Sequence, residues 1–179
     1  MSKHIQSFAP IEGANARILI LGSMPGLASL KAHEYYGHHR NAFWPIMLAL
    51  INNSTPSFGV FKLTTYVQRC QQLRESGIAV WDVLAACERP GSLDSAIVSG
   101  SEQANDIGAL LQRHPELTTI VFNGKTAEKM YYRHINKKRQ SSSQVTLLPK
   151  PSTSPALASL SLEQKFAAWG KGMSLPVPM

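Results

Sequence analysis

RILILGSMPG, residues 17–26, decides the fold. Its first half is short, branched and apolar, the composition of a buried strand. Its second half ends that strand in Gly-x-x-Pro-Gly, which allows a tight turn and a close backbone approach to a ligand. Three more apolar segments read as strands, at 78–84, 118–122 and 144–148. Helical stretches lie between them. Residues 42–51 are apolar almost all round, and 65–75 are amphipathic with Gly77 as a natural stop. Residues 102–113 halt before Pro115, 126–138 follow, and 162–169 close the pattern. Strands alternating with helices predict an α/β domain with a mainly parallel sheet. Residues 141–143 read as a polar loop and 173–179 as a loose tail.

The chain has 179 residues, enough for one domain over 1–179 with a core at about 15–170. Hydrophobic content of 44% with 16% charged residues excludes a disordered chain. No apolar run approaches the ~18 residues of a membrane span, and the N-terminus lacks a signal-peptide core. A monomeric cytoplasmic protein is expected. Cys70 and Cys87 are too few for a disulfide scaffold and are expected as free thiols. Lys and Arg number 18 against 11 acidic residues, a net charge of +7 that favours a polyanionic partner.

Each expected strand runs into an unusual segment: GSMPG at 22–26, AACERPG at 85–91, NGK at 123–125, PKPSTSP at 149–155. Ligands of open parallel sheets bind beyond the carboxyl ends of the strands, so these segments should meet in one cleft. Asn41 and Asn123 carry donors and an acceptor suited to orienting a water or reading a base edge. Asn41 reads equally as a helix cap before Ala42, and Asn123 as a strand cap before Gly124. Phe43 and Trp44 suit the core, or stacking on a base. His33, His38 and His39 have no Cys or carboxylate cluster to complete a metal site, so no metal is expected and phosphate or loop contacts are favoured. Asp82, late in its strand, reads as structural. Lys125, Lys129, Arg133 and Lys137, extended by Lys138 and Arg139, recur along one helix face, as a solvated face or a stripe near DNA phosphate. Ser152, Thr153 and Ser154 offer hydroxyls and N–H groups to a phosphate, or simply cap a loop.

Taken together, GSMPG (22–26), YYGHHRNAFW (35–44), FNGKTA (122–127) and PSTSPA (151–156) resemble the uracil-DNA glycosylase superfamily, most of all its hypoxanthine-DNA glycosylase branch. The resemblance implies a three-layer α/β/α sandwich with a central four-stranded mainly parallel sheet. It implies a cofactor-free, monofunctional DNA glycosylase that flips a deaminated nucleotide from double-stranded DNA, with single-stranded DNA as the alternative substrate, and hydrolyses its N-glycosidic bond. Asn41 would be the main catalytic group. Phe43, Asn123, Gly22, Ser23 and Met24 would hold the base. Ser152, Thr153, Ser154, Lys125, Arg40 and His38 would meet the DNA, with a wedge between Ala156 and Leu160, Leu157 the choice. Many relatives carry a water-activating Asp or Asn where Met24 stands, and the branch's HPRN reads His38-His39-Arg40-Asn41 here. A uracil- or G:T-mismatch-directed enzyme and a non-catalytic DNA-binding protein of the same fold are the alternatives.

Overall fold

The computed structural model describes residues 4–135, 145–173 and 175. Four strands form a parallel sheet in the order β3 (Ile78–Asp82), β2 (Ile18–Gly22), β6 (Thr119–Asn123), β7 (Thr146–Lys150). The central strand β2 is buried along its whole length, as expected of a parallel strand covered on both faces. Its alternation divides the core. Leu19 and Leu21 point, with Ile120 and Phe122, toward α5 (Ile107–Arg113) and α6 (Lys125–His134). Ile18 and Ile20 point, with Ile78, Val80 and Val121, toward α2 (Phe43–Ile51), α4 (Tyr66–Glu75) and α7 (Leu162–Gly170). The result is the expected three-layer α/β/α sandwich. Each buried Leu or Ile contributes about 1.5–3 kcal/mol, so the two half-cores supply most of the driving force.

The helix ends follow their sequences. Thr65 and Gln68 form a reciprocal capping box on α4, and Ser161 and Gln164 do the same on α7. The helix α1 (Leu27–Ala32) follows GSMPG, and a single turn, α3 (Val60–Leu63), precedes α4.

Several expectations need correction. The segment 78–84 is not one strand. β3 ends at Asp82, and β4 (Leu84–Glu88) leaves to join a second, antiparallel sheet with β1 (His4–Gln6) and β5 (Gln103–Ala104). The run IAVWDVLAA contains no Gly or Pro to announce the break. The helix expected over 102–113 begins only at Ile107, because Asp106 caps it by accepting from the Ala109 N–H at 2.9 Å while Gln103 and Ala104 pair with β4. The last strand lies at Thr146–Lys150, two residues later than expected. Pro149, which has no N–H, is tolerated there because β7 is an edge strand. The tail is not loose from residue 173, since Met173 is buried among the α2–α7 side chains and Leu175 packs beside it. The polar loop 141–143, Lys137, Lys138 and Arg139 lie outside the described residues. Cys70 and Cys87 are free and buried. No helix among the described residues is long and apolar enough to cross a membrane.

Candidate active site

The register of the sheet puts Gly22 opposite Asp82 and Asn123 opposite Lys150, one row of residues at the carboxyl ends of the strands. Above that row lies a cavity of about 590 Å³, the size of a small-molecule site. It is lined by residues 22–29, by Tyr35, Tyr36, His38 and Asn41, by Asp82 and 92–94, and by Asn123, Thr126 and 152–157. The strand ends therefore do meet, but the expected segment 85–91 does not line the cavity: 85–88 continue as β4, and residues 92–94 take its place.

Asn41 sits at the mouth of α2. Its Oδ1 accepts from the Phe43 N–H at 3.0 Å. Only the oxygen can satisfy that N–H, so the amide orientation is set. Nδ2, with no hydrogen bond among the described residues, is left as the donor available to the cavity that Asn41 lines. Helix-start bonding and site chemistry are compatible here because they use opposite ends of one side chain.

Asn123 is buried, and both ends of its amide engage Thr153. Nδ2 donates to Thr153 Oγ1 at 2.9 Å, and Oδ1 accepts from the Thr153 N–H at 2.8 Å. Thr153 O in turn accepts from the Ala42 N–H at 3.0 Å. The PSTSP loop is thus clamped to the end of β6 and to the start of α2. From below, Lys165 Nζ donates to Ser154 O at 3.0 Å and Trp169 Nε1 to Pro151 O at 2.9 Å. Gly124, at φ 95°, allows the close pass, since a Cβ there would lie 3.0 Å from the Ser152 Cβ. Ser152 and Ser154 spend their oxygens on loop N–H groups, each at 3.2 Å, which leaves their O–H donors.

Phe43 is not at the cavity surface. Its ring is fully buried, edge-on to Trp44 and Trp169, and covered by Tyr36 at 3.8 Å between ring centres and 19° between planes. Tyr36 is the aromatic that lines the cavity. Its backbone is left-handed, φ 55°, a conformation a bulky residue rarely adopts. Its hydroxyl is buried beside Asn123 without a partner in hydrogen-bond geometry among the described residues. Burial, with Asp82 next, raises its pKa far above the usual phenol value.

Met24 is buried and lines the cavity with a thioether. Ser23 donates to Asp94 Oδ2 at 2.5 Å. Asp94 faces Arg89 Nη1 at 3.5 Å, while Arg89, fully buried, donates Nη2 to Pro25 O at 2.5 Å and Nε to Gly91 O at 3.0 Å. This network, absent from the sequence reading, fixes the GSMPG turn from the segment after β4. Burial raises the Asp94 pKa, against the pull of Ser23 and Arg89.

Asp82, taken from sequence as structural, lines the cavity floor. Ser7, placed there because β1 pairs with β4, donates to its Oδ2 at 2.6 Å. Its Oδ1 lies under Gly22, where a Cβ would approach it to 2.4 Å and the Tyr36 hydroxyl to 3.2 Å. Burial pushes its pKa up to about 7, with Asp94 adding to the rise and Ser7 and Arg89 opposing it.

His38 also lines the cavity. Its Nδ1 accepts from the Arg40 N–H at 3.1 Å, and burial, then His39 and Arg40, lower its pKa, so at neutral pH it is a neutral ring whose Nε2–H is a donor. Arg40 and Lys125 are exposed and stand outside the lining, and Thr126 takes the place nearest the cavity on α6. Arg133 pairs with Glu102 at 3.1 Å. Leu157, Leu93 and Leu27 supply apolar side chains to the cavity lining, Leu93 the most exposed. His33 packs near Phe8, apart from the stacked His38 and His39 rings. Among the described residues no three His, Cys, Asp or Glu side chains group as metal ligands.

Tyr36 had no role in the sequence reading and Asp82 was read as structural, although both line the cavity. The signals were present: an aromatic seven residues before Phe43, and a carboxylate as the last residue of a strand in an otherwise apolar run.

Known proteins match this arrangement. The family model of the uracil DNA glycosylase superfamily matches residues 10–170. A Methanosarcina barkeri protein named hypoxanthine DNA glycosylase is 37% identical over 67% of this chain and 71% of its own length. A Methanosarcina acetivorans protein of the same name is 34% identical over 68% and 72%. A solution NMR structure from M. acetivorans, described as a candidate uracil DNA glycosylase, superposes with a TM-score of 0.71 at 27% identity, covering 93% of this chain and 97% of that one. With the strand-end cavity, the clamped PSTSP loop and this match over most of its length, the chain belongs to the uracil DNA glycosylase superfamily.

Proposed function

We propose that the protein is a monofunctional DNA glycosylase that hydrolyses the N-glycosidic bond of deaminated bases, hypoxanthine first among them. One observation carries the reading: Asn41 is held by Phe43 so that its donor end serves a cavity whose Met24 can neither orient nor deprotonate a water. Donors suit a reaction in which the base departs with the bonding electrons, because they stabilise the negative charge that develops on its ring edge. Removing such a donor costs about 2.7–4 kcal/mol in comparable sites. His38, neutral with an Nε2–H, adds a second donor. Tyr36, in place of Phe43, offers the face on which a flipped base stacks, worth about 1–3 kcal/mol. Asn123 acts chiefly by positioning Thr153 and the PSTSP loop. Ser152 and Ser154 contact DNA phosphate, with Lys125 and Arg40 as peripheral charges and Leu157 as the wedge. The names of the two Methanosarcina relatives support hypoxanthine as the base.

The partner is double-stranded DNA, consistent with the charge of +7, and the enzyme acts as a cytosolic monomer. The test is a set of duplexes with a single deoxyinosine, deoxyuridine, deoxyxanthosine or mismatched thymine, treated with enzyme and then alkali. Strand cleavage greatest for deoxyinosine is expected. Binding without alkali-labile product from any duplex would leave a non-catalytic DNA-binding protein. Preference for uracil or G:T would move the specificity to the other branch.

A further inference from the structure

The cavity floor holds a carboxyl group that the donor scheme leaves out. Asp82 is 3% exposed and lines the cavity. Each group around it can be named. Ser7, from the segment after β1, occupies Oδ2. Oδ1 occupies the space that a side chain at Gly22 of β2 would fill, on the carboxyl that lines the cavity. Tyr35 and Tyr36 face it with neutral phenols. Asp94, after β4, brings a second carboxyl, and Arg89 is directed to Asp94 and to the carbonyls of Pro25 and Gly91. No described cation pairs with Asp82. A base leaving as an anion beside an ionised Asp82 would meet like charge in a desolvated site.

We propose that Asp82 acts in its neutral form as the acid that protonates the departing base. The C1′–N bond breaks and its electron pair moves onto the base. The Asp82 O–H bond breaks and its proton forms a new bond to a heteroatom on the base edge. A water adds to C1′ of the cationic sugar and releases a proton to solvent, and Asp82 recovers a proton from solvent. One water is consumed, and the free base and an abasic site are formed. Asn41 and His38 orient and stabilise the leaving base while Asp82 transfers the proton. A general acid of this kind contributes about 10²–10⁴-fold. The burial-raised pKa of about 7 leaves Asp82 half protonated near neutral pH, which suits the task.

The inference rests on the glycosylase reading and is tested by single-turnover release of hypoxanthine from a deoxyinosine duplex between pH 5 and 9. Wild-type rate should fall tenfold per pH unit above about pH 7. Asp82→Asn should be at least about 100-fold slower at pH 6 and lose that alkaline limb. Ser7→Ala removes a bond that lowers the Asp82 pKa, so its limb should move to higher pH; Asp94→Asn removes a charge that raises it, so its limb should move lower. These two variants decide the matter even if Asp82→Asn fails to fold. A merely structural Asp82 would not shift a limb in opposite directions. A D82N rate within threefold of wild type, or limbs unmoved in both neighbours, overturns the proposal while leaving the glycosylase reading intact. Wild-type enzyme that releases no base from any of the four lesion duplexes overturns both.

Discussion

Asp82→Asn should make the folded protein more stable at pH 8. The carboxyl has an ordinary pKa of 3.8 and one of about 7 in the fold, where burial penalises its charged form. The folded state therefore binds the Asp82 proton more tightly than the unfolded chain does. Below about pH 4 the group is neutral in both states and costs nothing. Between about pH 4 and 7 stability is lost progressively, and above pH 7 the loss is complete. The gap between the two values, at about 1.4 kcal/mol per pH unit, comes to about 4 kcal/mol. That is large against a domain stability of about 5–15 kcal/mol. Asparagine has the same shape, accepts the Ser7 hydroxyl and does not ionise. The stability difference between Asp82→Asn and wild type should rise from near zero at pH 4 to about 4 kcal/mol in favour of the variant at pH 8. For a chain of this length that is a rise in Tm of about 8–16 °C. Urea unfolding of both proteins at five pH values measures it, and taking the difference cancels every carboxylate and histidine that titrates in both. A difference that stays flat with pH, or a variant less stable at pH 8, would refute the claim that Asp82 is buried without a counter-charge.

Asn41→Asp keeps an oxygen for the Phe43 N–H but removes the Nδ2 donors, so excision should fall about 10²–10³-fold with the melting temperature little changed; near wild-type turnover would mean that the residue works as a base. Tyr36→Phe deletes a buried hydroxyl that has no partner in the free protein, so thermal stability should hold or rise by up to about 1 kcal/mol, and Tyr36→Leu should weaken lesion-DNA binding by about 1–3 kcal/mol through lost stacking. Gly22→Ala brings a Cβ to 2.4 Å from Asp82 Oδ1 and should lower both Tm and excision. Lys165→Met frees Ser154 O and should raise KM for duplex DNA more than it lowers kcat, as measured by steady-state excision.

The parallel sheet and its order of helices were readable because each strand is apolar and, except after β3, each break carries Gly, Pro or a cap. The convergence of the four strand ends was readable for the same reason, since parallel strands put all their carboxyl ends on one side. The second sheet was not. β1 is three residues and β5 is two, too short for any period to register, and β4 follows β3 after a single residue without punctuation. The burial of Phe43 away from the cavity lining turns on rotation. A residue at the first position of α2 may point into the core or the cavity, and only the approach of Tyr36 over its face shows which. The place of Asp82 in the cavity lining was not legible because its setting is tertiary. Ser7 is 75 residues away in the chain and Arg89 looks available until its partners are known.

Arg89 explains why the floor keeps a proton. A fully buried guanidinium one strand away could have neutralised Asp82, and the site would then hold a permanent carboxylate under the leaving base. Instead its Nη2 and Nε are taken by the Pro25 and Gly91 carbonyls, and Nη1 is turned to Asp94. Those bonds shape the GSMPG turn, which shapes the cavity. The same commitments that build the pocket therefore leave Asp82 without a counter-ion among the described residues, and in a desolvated site the least costly neutraliser is a proton. A carboxyl kept neutral by its surroundings resembles a donor such as Asn41 or His38 more than it resembles a base. The whole floor then presents hydrogen-bond donors to a base that leaves with negative charge. The stability that Asp82 costs above pH 7 and the activity assigned to it arise from one cause, its burial without a cation. Selection for greater stability at this position would remove the acid.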